Sequence, residues 1–491
     1  MALYPSVVAP CMIAQALQRA SQRGLGQGTG SAPALARLEE FLEERRRKQG
    51  PQIGVEAFER ELHAHVAEVE RELMAEELAR HDVDVPALLI DGVMYRRILR
   101  CEATYLTAAG PVRVERSLYS TREEGERAVV PLELRAGIME GYWTPLAAHH
   151  AAWVVTHMTP QEGEELFKKL GLMAPSKSSL DRLPKQLNER WEEDRETFEE
   201  ALRKSDLVPP EATTVAVSLD GVMVPMKDGE GTKKRAEAKA AGKLASGPAG
   251  HQEVGCGTVS FYNAQGERLS TVKLGRMPEY KKATLKEMLS AELGAALAER
   301  PELRLVTLAD GANDNWDYLH GALPESTEII DFFHATEHLN TALASAYGEG
   351  TAACHAQFEK LRVLLLEDAM GVEKVIRSLA YLRKAHPQSK VIATELRYFR
   401  KNRHRMRYAG YRNQNLPVGS GVVEAACKTL VTQRMKRSGM RWRPEGGQAI
   451  LTLRSLAQSD RFDKAWALLS ATYQAEVHML ENVVPLHAKR R

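Results

Sequence analysis

The order of strands and helices predicted after Thr213 restricts the fold of this 491-residue chain more than any other feature. The segment TTVAVSLDGVMV is typical of a strand, and its alternation predicts Leu219 on one face and Asp220 on the other. It is followed by the strands VGCGTVSFY and RLSTVKL, a helix at about 280–299, the strand LRLVTLAD, a helix near NDNWDYLHGAL and the strand TEIIDFF.

Three strands, a helix, and two more strands separated by a helix follow one another in the order of ribonuclease-H-like folds. Residues 334–410 are predicted to be almost wholly helical and are interpreted largely as an insertion, and the last core helix is predicted to begin near Gly421. The predicted fold class is therefore an α/β, RNase-H-like catalytic core with an all-α insertion. A mainly α N-terminal region with a small β element precedes it.

The chain is too long for a single hydrophobic core, so several domains are expected. The predicted divisions are a helical N-terminal region at 1–86, a small β element at 87–130, a helical segment at 131–208, a catalytic domain at 209–465 with its insertion at about 335–410, and a C-terminal helix with a basic tail at 466–491. Residues 22–34 are rich in Gly, which predicts a flexible segment.

The region before the core carries three local patterns. Apolar residues recur at helical spacing within 54–80, which indicates an amphipathic helix that packs within the chain or against a second copy. The segments CEATYLT and VRVERSLY predict a β-hairpin with its turn near Gly110 and Pro111. The capping box TPQE and a second helix, disturbed by Pro184 unless it begins there, could form a helix-turn-helix DNA reader, although such helix pairs are common in any α domain.

Composition narrows the classes of protein and compartment. Hydrophobic content of 44% and charged content of 27% are ordinary for a globular protein, and no apolar run approaches the roughly 18 residues of a membrane span. The N-terminus lacks the pattern of a secretory signal. Five scattered cysteines without a CxxC pair argue against a structural zinc site and against a disulfide framework. A cytoplasmic, nucleoid-associated protein is expected, with no membrane partner.

Basic residues are concentrated although the net charge is only +2. Between Arg397 and Arg443 the chain has thirteen Lys or Arg residues and one acid, Glu424. Such a run is the expected footprint of a surface that follows phosphates, and a solvated helix face is the alternative. The predicted DNA-binding residues are Arg182, Lys185, Arg403, Arg405, Arg407, Lys428, Arg434, Lys436, Arg437 and Arg441.

Three acids form the candidate catalytic set. Asp220 ends the apolar run VAVSLD, Asp310 ends RLVTLAD, and each is followed by Gly, which would let the backbone turn away from the acid. If these strands are neighbours, both carboxylates emerge at one sheet edge, where the helix near Gly421 could present Glu424. Carboxylates are the ligands that Mg²⁺ prefers, and two such ions suit phosphodiester cleavage. Asp-Gly after a strand is also a generic turn signal, so either aspartate alone would be weak evidence.

These residues carry a resemblance over roughly residues 210–460. The segments SLDGVMV, LADGANDNW, DFFHATEHL and GSGVVEAACKTLVTQRMKRSGMRW, with QAILTLR downstream, resemble bacterial insertion-sequence transposases of the ISKra family, which are related to Mutator-like DDE enzymes. The resemblance implies a DDE triad of Asp220, Asp310 and Glu424, holding Mg²⁺ or Mn²⁺ as a pair of ions. It also implies an auxiliary pair after the second aspartate, here Asp331 and His334.

For such enzymes the implied reaction is cleavage at transposon ends followed by attack of the freed 3′-hydroxyl on target DNA. The implied partners are double-stranded DNA, both terminal inverted repeats and target, and further copies of the chain in a homodimer or higher oligomer. Two alternatives stay open: an RNase-H-like nuclease or resolvase that cleaves without joining, and a DNA-binding regulator with a decayed site. His334 is expected to orient Asp331 or a DNA phosphate rather than to bind Mg²⁺, which prefers oxygen ligands.

Overall fold

The computed structural model describes residues 33–48, 50, 53–121, 128–171, 173–227, 237–242, 250–311, 313–419 and 421–480. Most of the predicted flexible segment, much of the loop after the first core strand and the basic C-terminal tail lie outside these ranges. The described part is a mixed α/β structure with two sheets, as the coarse fold class predicts. None of its helices has the length and apolarity needed to cross a membrane.

The chain divides into two compact units. The first contains residues 1–136, 170–174 and 476–491, and the second contains residues 137–169 and 175–475. The small β element therefore shares a unit with the helices before it. The helical segment at 137–169 and 175–208 shares a unit with the predicted catalytic domain.

The first unit is a four-stranded antiparallel sheet with flanking helices. Its elements are α1 (Pro33–Arg47), α2 (Val55–His81), β1 (Ala87–Ile90), β2 (Val93–Thr107), β3 (Gly110–Ser120), α3 (Pro131–Ala136) and β9 (Val477–Met479), with strand order β3-β2-β1-β9. The predicted hairpin is confirmed, but Thr107 pairs with Gly110, so the turn is at residues 108–109. Leu38 and Val69 join α1 to α2, so part of the predicted amphipathic face packs within the chain.

The second unit contains a five-stranded mixed sheet. Its strands are β4 (Thr214–Pro225), β5 (His251–Tyr262), β6 (Arg268–Arg276), β7 (Arg304–Ala309) and β8 (Thr327–Ile330), in the order β6-β5-β4-β7-β8. β5 pairs antiparallel with β4 and β6, whereas β4, β7 and β8 are parallel. The predicted order of strands and helices is confirmed, except that the last predicted strand, TEIIDFF, ends at Ile330, and Phe332 and Phe333 begin the next helix.

The helices of the second unit surround this sheet. They are α4 (Pro145–His157), α5 (Pro160–Leu170), α6 (Lys177–Glu193), α7 (Arg195–Ser205), α8 (Ala283–Glu299), α9 (Asn313–Ala322), α10 (Phe332–Tyr347), α11 (Ala352–Glu367), α12 (Gly371–Ala385), α13 (Lys390–Asn402), α14 (Tyr408–Arg412), α15 (Gly421–Ala426), a π-helix (Cys427–Thr432), α16 (Gln433–Met435), α17 (Pro444–Gln458) and α18 (Phe462–Ala471). Helices α10 to α14 confirm that the predicted insertion is helical.

Alternation along β4 builds a separate core on each face of the sheet. Val215, Val217 and Leu219 are buried against α8, as the period-2 pattern predicts. The opposite face joins Ala216 to the core of the helical insertion. Further along the sheet, Val224 packs with residues of α15 and the π-helix. Because helices cover both faces, the strands are apolar on both sides in their central part.

Two local predictions had different outcomes. The TPQE capping box is confirmed, because Thr159 N donates to Glu162 Oε2 at 2.9 Å and Glu162 N donates to Thr159 Oγ1 at 3.2 Å. The prediction that Pro184 disturbs the following helix or begins it is wrong, because α6 continues from Lys177 through Pro184. The apolar face around Pro184, with Leu180, Leu183 and Leu187, is buried, and that burial offsets the loss of one backbone hydrogen bond.

Candidate active site

Asp220 and Asp310 lie on neighbouring parallel strands. Leu219 of β4 is in register with Ala309 of β7, and Asp310 directly follows the end of β7. β8 lies beside β7, with Ile330 in register with Ala309, so Asp331 also follows a strand at this edge. Three aspartates from three adjacent strands therefore gather at one edge of the sheet.

Asp220 does not end its strand, which corrects one step of the sequence argument. β4 continues to Pro225, and Asp220 pairs with Cys256 while Gly221 pairs with Gly255. A Cβ at Gly221 would overlap the carboxylate of Glu253, which forms an ion pair of 3.0 Å with Lys282, so a larger residue would displace that carboxylate. The glycine leaves room for a charged neighbour and does not form a turn.

The Asp220 carboxylate is mostly buried and accepts two hydrogen bonds. Gly221 N donates to Oδ1 at 2.7 Å, and the thiol of Cys427 in the π-helix donates to Oδ2 at 3.4 Å. Burial raises the pKa of Asp220, and the charge of Asp310 raises it further. The hydrogen bond to Cys256 and burial raise the pKa of Cys427, so that side chain stays a thiol and can donate.

Asp310 is held by the first turns of α9. Asn315 Nδ2 donates to Asp310 Oδ1 at 3.0 Å, and Trp316 Nε1 donates to the Asp310 carbonyl at 2.6 Å. Gly311 is needed because a Cβ there would overlap the ring of Tyr398. The second Asp-Gly pair thus also reflects close packing beside the acid, here against an aromatic ring from the insertion.

Asp331 is the N-cap of α10. Its Oδ1 accepts from the backbone N–H of His334 at 2.5 Å, and its own backbone N–H donates to the carbonyl of Ala309 at 3.1 Å. Asp331 is buried. It therefore joins the end of the sheet to the start of the insertion, the location expected for this pair.

The imidazole of His334 belongs to an array that the sequence argument missed. His334 Nε2 is 3.2 Å from His338 Nε2, and His338 Nδ1 is 2.6 Å from Oε2 of the buried Glu395 on α13. The ring of Tyr398 stacks on His338 with centroids 3.8 Å apart. The four-residue spacing of the histidines places them on one helix face, and that spacing was the available signal. Glu395 is 57 residues further along the chain.

Glu424 stands on the first turn of α15, whose Val423 and Ala426 pack on the sheet. Its side chain is exposed. Within the described ranges no three His, Cys, Asp or Glu side chains come close enough together to hold one metal ion. The structure thus places Asp220 and Asp310 on neighbouring strands, and Glu424 on a helix whose apolar side packs on the same sheet. The π-helix that begins at Cys427 is a rare element often found at functional sites.

Most of the predicted DNA-binding residues are at the surface of the second unit. The exposed ones are Arg182, Arg403, Arg407, Lys428, Lys436, Arg437 and Arg441. Lys185 is half-buried and binds Asp181 at 2.6 Å. Arg437 forms a two-fold ion pair with Glu162 at 2.6 and 2.7 Å.

Arg405 and Arg434 are buried, contrary to a simple surface role. Arg405 Nε donates to Glu328 Oε2 at 2.7 Å and its guanidinium lies 3.9 Å from the centre of the Trp316 ring, so it is engaged in the interior and does not belong to a phosphate-binding surface. Arg434 is buried too, but it lines an open cleft.

The arrangement offers paired carboxylates at a sheet edge with an adjoining array of imidazoles, which suits the binding of divalent cations and the orientation of a phosphodiester. A comparison with models of known protein families finds no match for this chain, and a comparison with curated proteins finds none either.

Proposed function

We propose that the chain is a DNA transposase whose second unit has a ribonuclease-H-like catalytic core. The strand order β6-β5-β4-β7-β8, with β5 antiparallel to both neighbours and β4, β7 and β8 parallel, supports the fold. The resemblance of the segments around Asp220, Asp310 and Glu424 to ISKra-family transposases supports the activity. The N-terminal regions contribute nothing to this argument.

The observation that carries the proposal is the pair of aspartates on adjacent parallel strands. Burial raises the pKa of the Asp220 carboxyl, and the negative charge of Asp310 raises it further, so the two carboxylates repel each other. A divalent cation between them would relieve the repulsion and favour both charged forms. Their oxygen donors are those that Mg²⁺ and Mn²⁺ prefer, so the residues present fit such ions.

In this proposal Asp220, Asp310 and Glu424 would hold two divalent cations. Bound there, the ions would supply Lewis-acid chemistry at the scissile phosphate. The chain's own residues fix the carboxylates: Asn315 orients Asp310, and the backbone of Gly221 with the Cys427 thiol orients Asp220.

The proposed reaction consists of two displacements at phosphorus, and in each one bond to phosphorus forms while another breaks. In the first, a water oxygen bonds to phosphorus and the bond to the 3′ oxygen breaks, which leaves a 3′-hydroxyl on the transposon end. In the second, that 3′ oxygen bonds to a target phosphorus, and the target's own 3′ oxygen leaves and takes a proton. The second step exchanges one phosphodiester for another, so it needs no nucleotide cofactor.

The test is incubation of the protein with its element's DNA ends, a target plasmid and Mg²⁺, followed by a search for joined products. Asp220→Asn, Asp310→Asn and Glu424→Gln should each abolish cleavage and leave DNA binding largely intact, because each change keeps the shape and removes a charge. The control is Asp314→Asn, an acid in the first turn of α9 that binds Lys286 at 3.1 Å and should retain activity.

Other outcomes separate the alternatives. Cleaved ends without joined products would identify a nuclease or resolvase, and binding without cleavage by the wild-type protein would identify a regulator. Cleavage at the wild-type rate by one acid variant would remove that residue from the triad.

A further inference from the structure

A cleft of about 750 Å³ lies in the second unit, between helices α5 and α6 and the chain that follows α16. Five of its lining residues are basic: Lys185, Lys227, Arg434, Arg441 and Arg443. Two are acidic, and one of these, Asp181, is bound to Lys185. The described residues that line the cleft thus carry a net positive charge, and they include neither Asp220 nor Asp310.

Arg434 is 3% exposed, yet its Nε has no hydrogen-bond partner within the described structure. Nη2 makes a long bond of 3.4 Å to the carbonyl of Val155. Burial lowers the pKa of Arg434 to about 10. The negative charge of Glu162 favours the Arg434 cation, but both carboxylate oxygens of Glu162 accept hydrogen bonds from Arg437. A buried guanidinium without its own counter-ion is costly, and an anion in the cleft would compensate it.

Trp442 provides an aromatic surface in the same cleft, and its position is fixed on three sides. Its backbone N–H donates to the carbonyl of Pro225 at 3.0 Å, and its backbone carbonyl accepts from the backbone N–H of Lys227 at 2.7 Å. Nε1 donates to the carbonyl of Met435 at 2.9 Å. The guanidinium of Arg434 lies 5.4 Å from the ring centre. An aromatic ring in a fixed position can stack on a nucleic-acid base, and a neighbouring cation can bind the phosphate of the same nucleotide.

The cleft is joined to the active site by a single strand. Trp442 pairs with Met226, which directly follows β4, the strand that carries Asp220. Six residues of extended strand span about 20 Å. One strand of a DNA duplex advances about 3.4 Å per nucleotide, so a strand that contacts both the cleft and Asp220 would extend over about six nucleotides.

We propose that this cleft binds one nucleotide of the DNA substrate, with its phosphate against Arg434 and Arg441 and its base on Trp442. An acidic peptide would satisfy the cations but would leave the held aromatic ring unused. Clefts of this size are typical of sites for small organic ligands. The choice of DNA rests on the proposed function, whereas the anionic and aromatic character of the ligand does not.

The experiment measures binding of a short fluorescein-labelled single-stranded DNA to the full chain without divalent cations. Trp442→Ala should weaken binding about five- to hundredfold, the value of one base stacked on an aromatic ring. Arg441→Gln with Arg443→Gln should lower the slope of log affinity against log salt by about 0.7 for each lost contact. The matched control is Lys360→Gln with Arg377→Gln, two exposed cations on α11 and α12, which should bind as the wild type does.

Arg434→Met separates a ligand-binding cation from a structural one. If Arg434 binds an anionic ligand, Arg434→Met should lose affinity for DNA. The melting temperature of the variant without DNA should stay equal or rise, because the cost of burying an uncompensated charge is removed. A lower melting temperature with unchanged DNA affinity would overturn the proposal. So would an equal loss of affinity in the control pair, or competition by polyglutamate as effective as by DNA.

The assay also distinguishes failure of the pocket from failure of the proposed function. Because it contains no divalent cation and measures only binding, it gives the same result for a protein that cannot cleave. Binding that Arg434→Met and Trp442→Ala weaken, in a protein without strand transfer, would retain the cleft as a ligand site and reject the transposase. Strand transfer with unaltered binding by both variants would do the reverse.

Discussion

Asp220 and Asp310 are neighbours, but different kinds of contact hold their side chains. Asp220 is fixed by a backbone N–H and a buried thiol, whereas Asp310 is fixed by the side-chain amide of Asn315, which is itself buried. The strand pattern predicted both acids because an apolar run before an acid is visible in one short segment. It could not predict Cys427 or Asn315 as supports, because their roles depend on packing between elements.

The array of His334, His338 and Glu395 should support the active site from one side. Glu395→Gln keeps the shape of a buried side chain but weakens its hold on His338 Nδ1, so the imidazoles lose their fixed orientation. We expect a fall in DNA cleavage of about tenfold, by analogy with the outer partners of metal ligands. Single-turnover cleavage measures it, with the melting temperature as a check on folding.

His334→Ala should reduce strand joining more than it reduces Mg²⁺ binding, because the cations remain while the DNA is misplaced. Activity that returns when Mg²⁺ is raised would make His334 part of the metal site. Wild-type joining by both Glu395→Gln and His334→Ala would show that the array has only a structural role.

The three arginines at 403, 405 and 407 should separate into two classes. Arg403 and Arg407 are exposed, so replacing both with Gln should weaken DNA binding for all sequences and reduce the salt slope by about 0.9 per contact on duplex. Arg405→Gln should instead destabilise folding by about 2 kcal/mol, because it breaks a charge-assisted hydrogen bond between the buried Arg405 and the partly exposed Glu328. Urea unfolding and salt-dependent binding, measured on all variants, would contradict this division if Arg405→Gln changed only the slope.

Among the helices, the start of α5 depends on Glu162, which joins a capping box to an ion pair. Hydrogen bonds from Arg437 and then from Thr159 lower the pKa of Glu162 to about 2, from an ordinary value of 4.5. A lowered folded-state pKa contributes stability above pH 4.5 and loses it as the pH falls toward 2. Both side chains are about two-fifths exposed, so solvent screens the pair.

Glu162→Gln should therefore lower the free energy of unfolding by about 1 kcal/mol at pH 7, and the difference from wild type should vanish near pH 2. Thermal unfolding of both proteins across this pH range measures it. Glu165→Gln, a change on the exposed face of the same helix, serves as the control and should show no such dependence. A constant difference at every pH would mean that the carboxylate charge contributes nothing.

Several elements could be predicted from the sequence because their signals are local. Strand alternation and the capping box each involve residues that are close together in the sequence. The succession of strands and helices in the core was predicted by combining such local patterns. The predicted strand TTVAVSLDGVMV already extended past Asp220, but the environment of Gly221 could not be predicted, because an Asp-Gly pair is usually a turn and the approach of Glu253 to the glycine is a contact between two strands. The three-residue strand β9 lies within the segment 466–491, for which a C-terminal helix and a basic tail but no strand were predicted, and its pairing with β1 is a long-range contact.

For the second unit as a whole, the order of elements was predictable and the long-range polar contacts were not. Arg461, at the start of α18, is 5% exposed and binds Glu292 of α8 through two hydrogen bonds of 2.7 and 2.9 Å. It also binds Asp206, which follows α7, at 2.5 Å. One arginine thus connects three helical segments that are up to 255 residues apart, and no sequence pattern indicates such a pairing.

Arg461→Met should destabilise this unit by about 3–5 kcal/mol, because Glu292 stays buried without its partner. The double variant Arg461→Met with Glu292→Leu should recover much of that loss, since two apolar side chains of similar volume replace a buried ion pair. Lys464→Met removes the exposed partner of Asp206 and should cost less than about 1 kcal/mol. Urea-unfolding midpoints of the three variants measure these differences. If the double variant is no more stable than Arg461→Met alone, the loss comes from packing around the arginine and not from an uncompensated charge on Glu292.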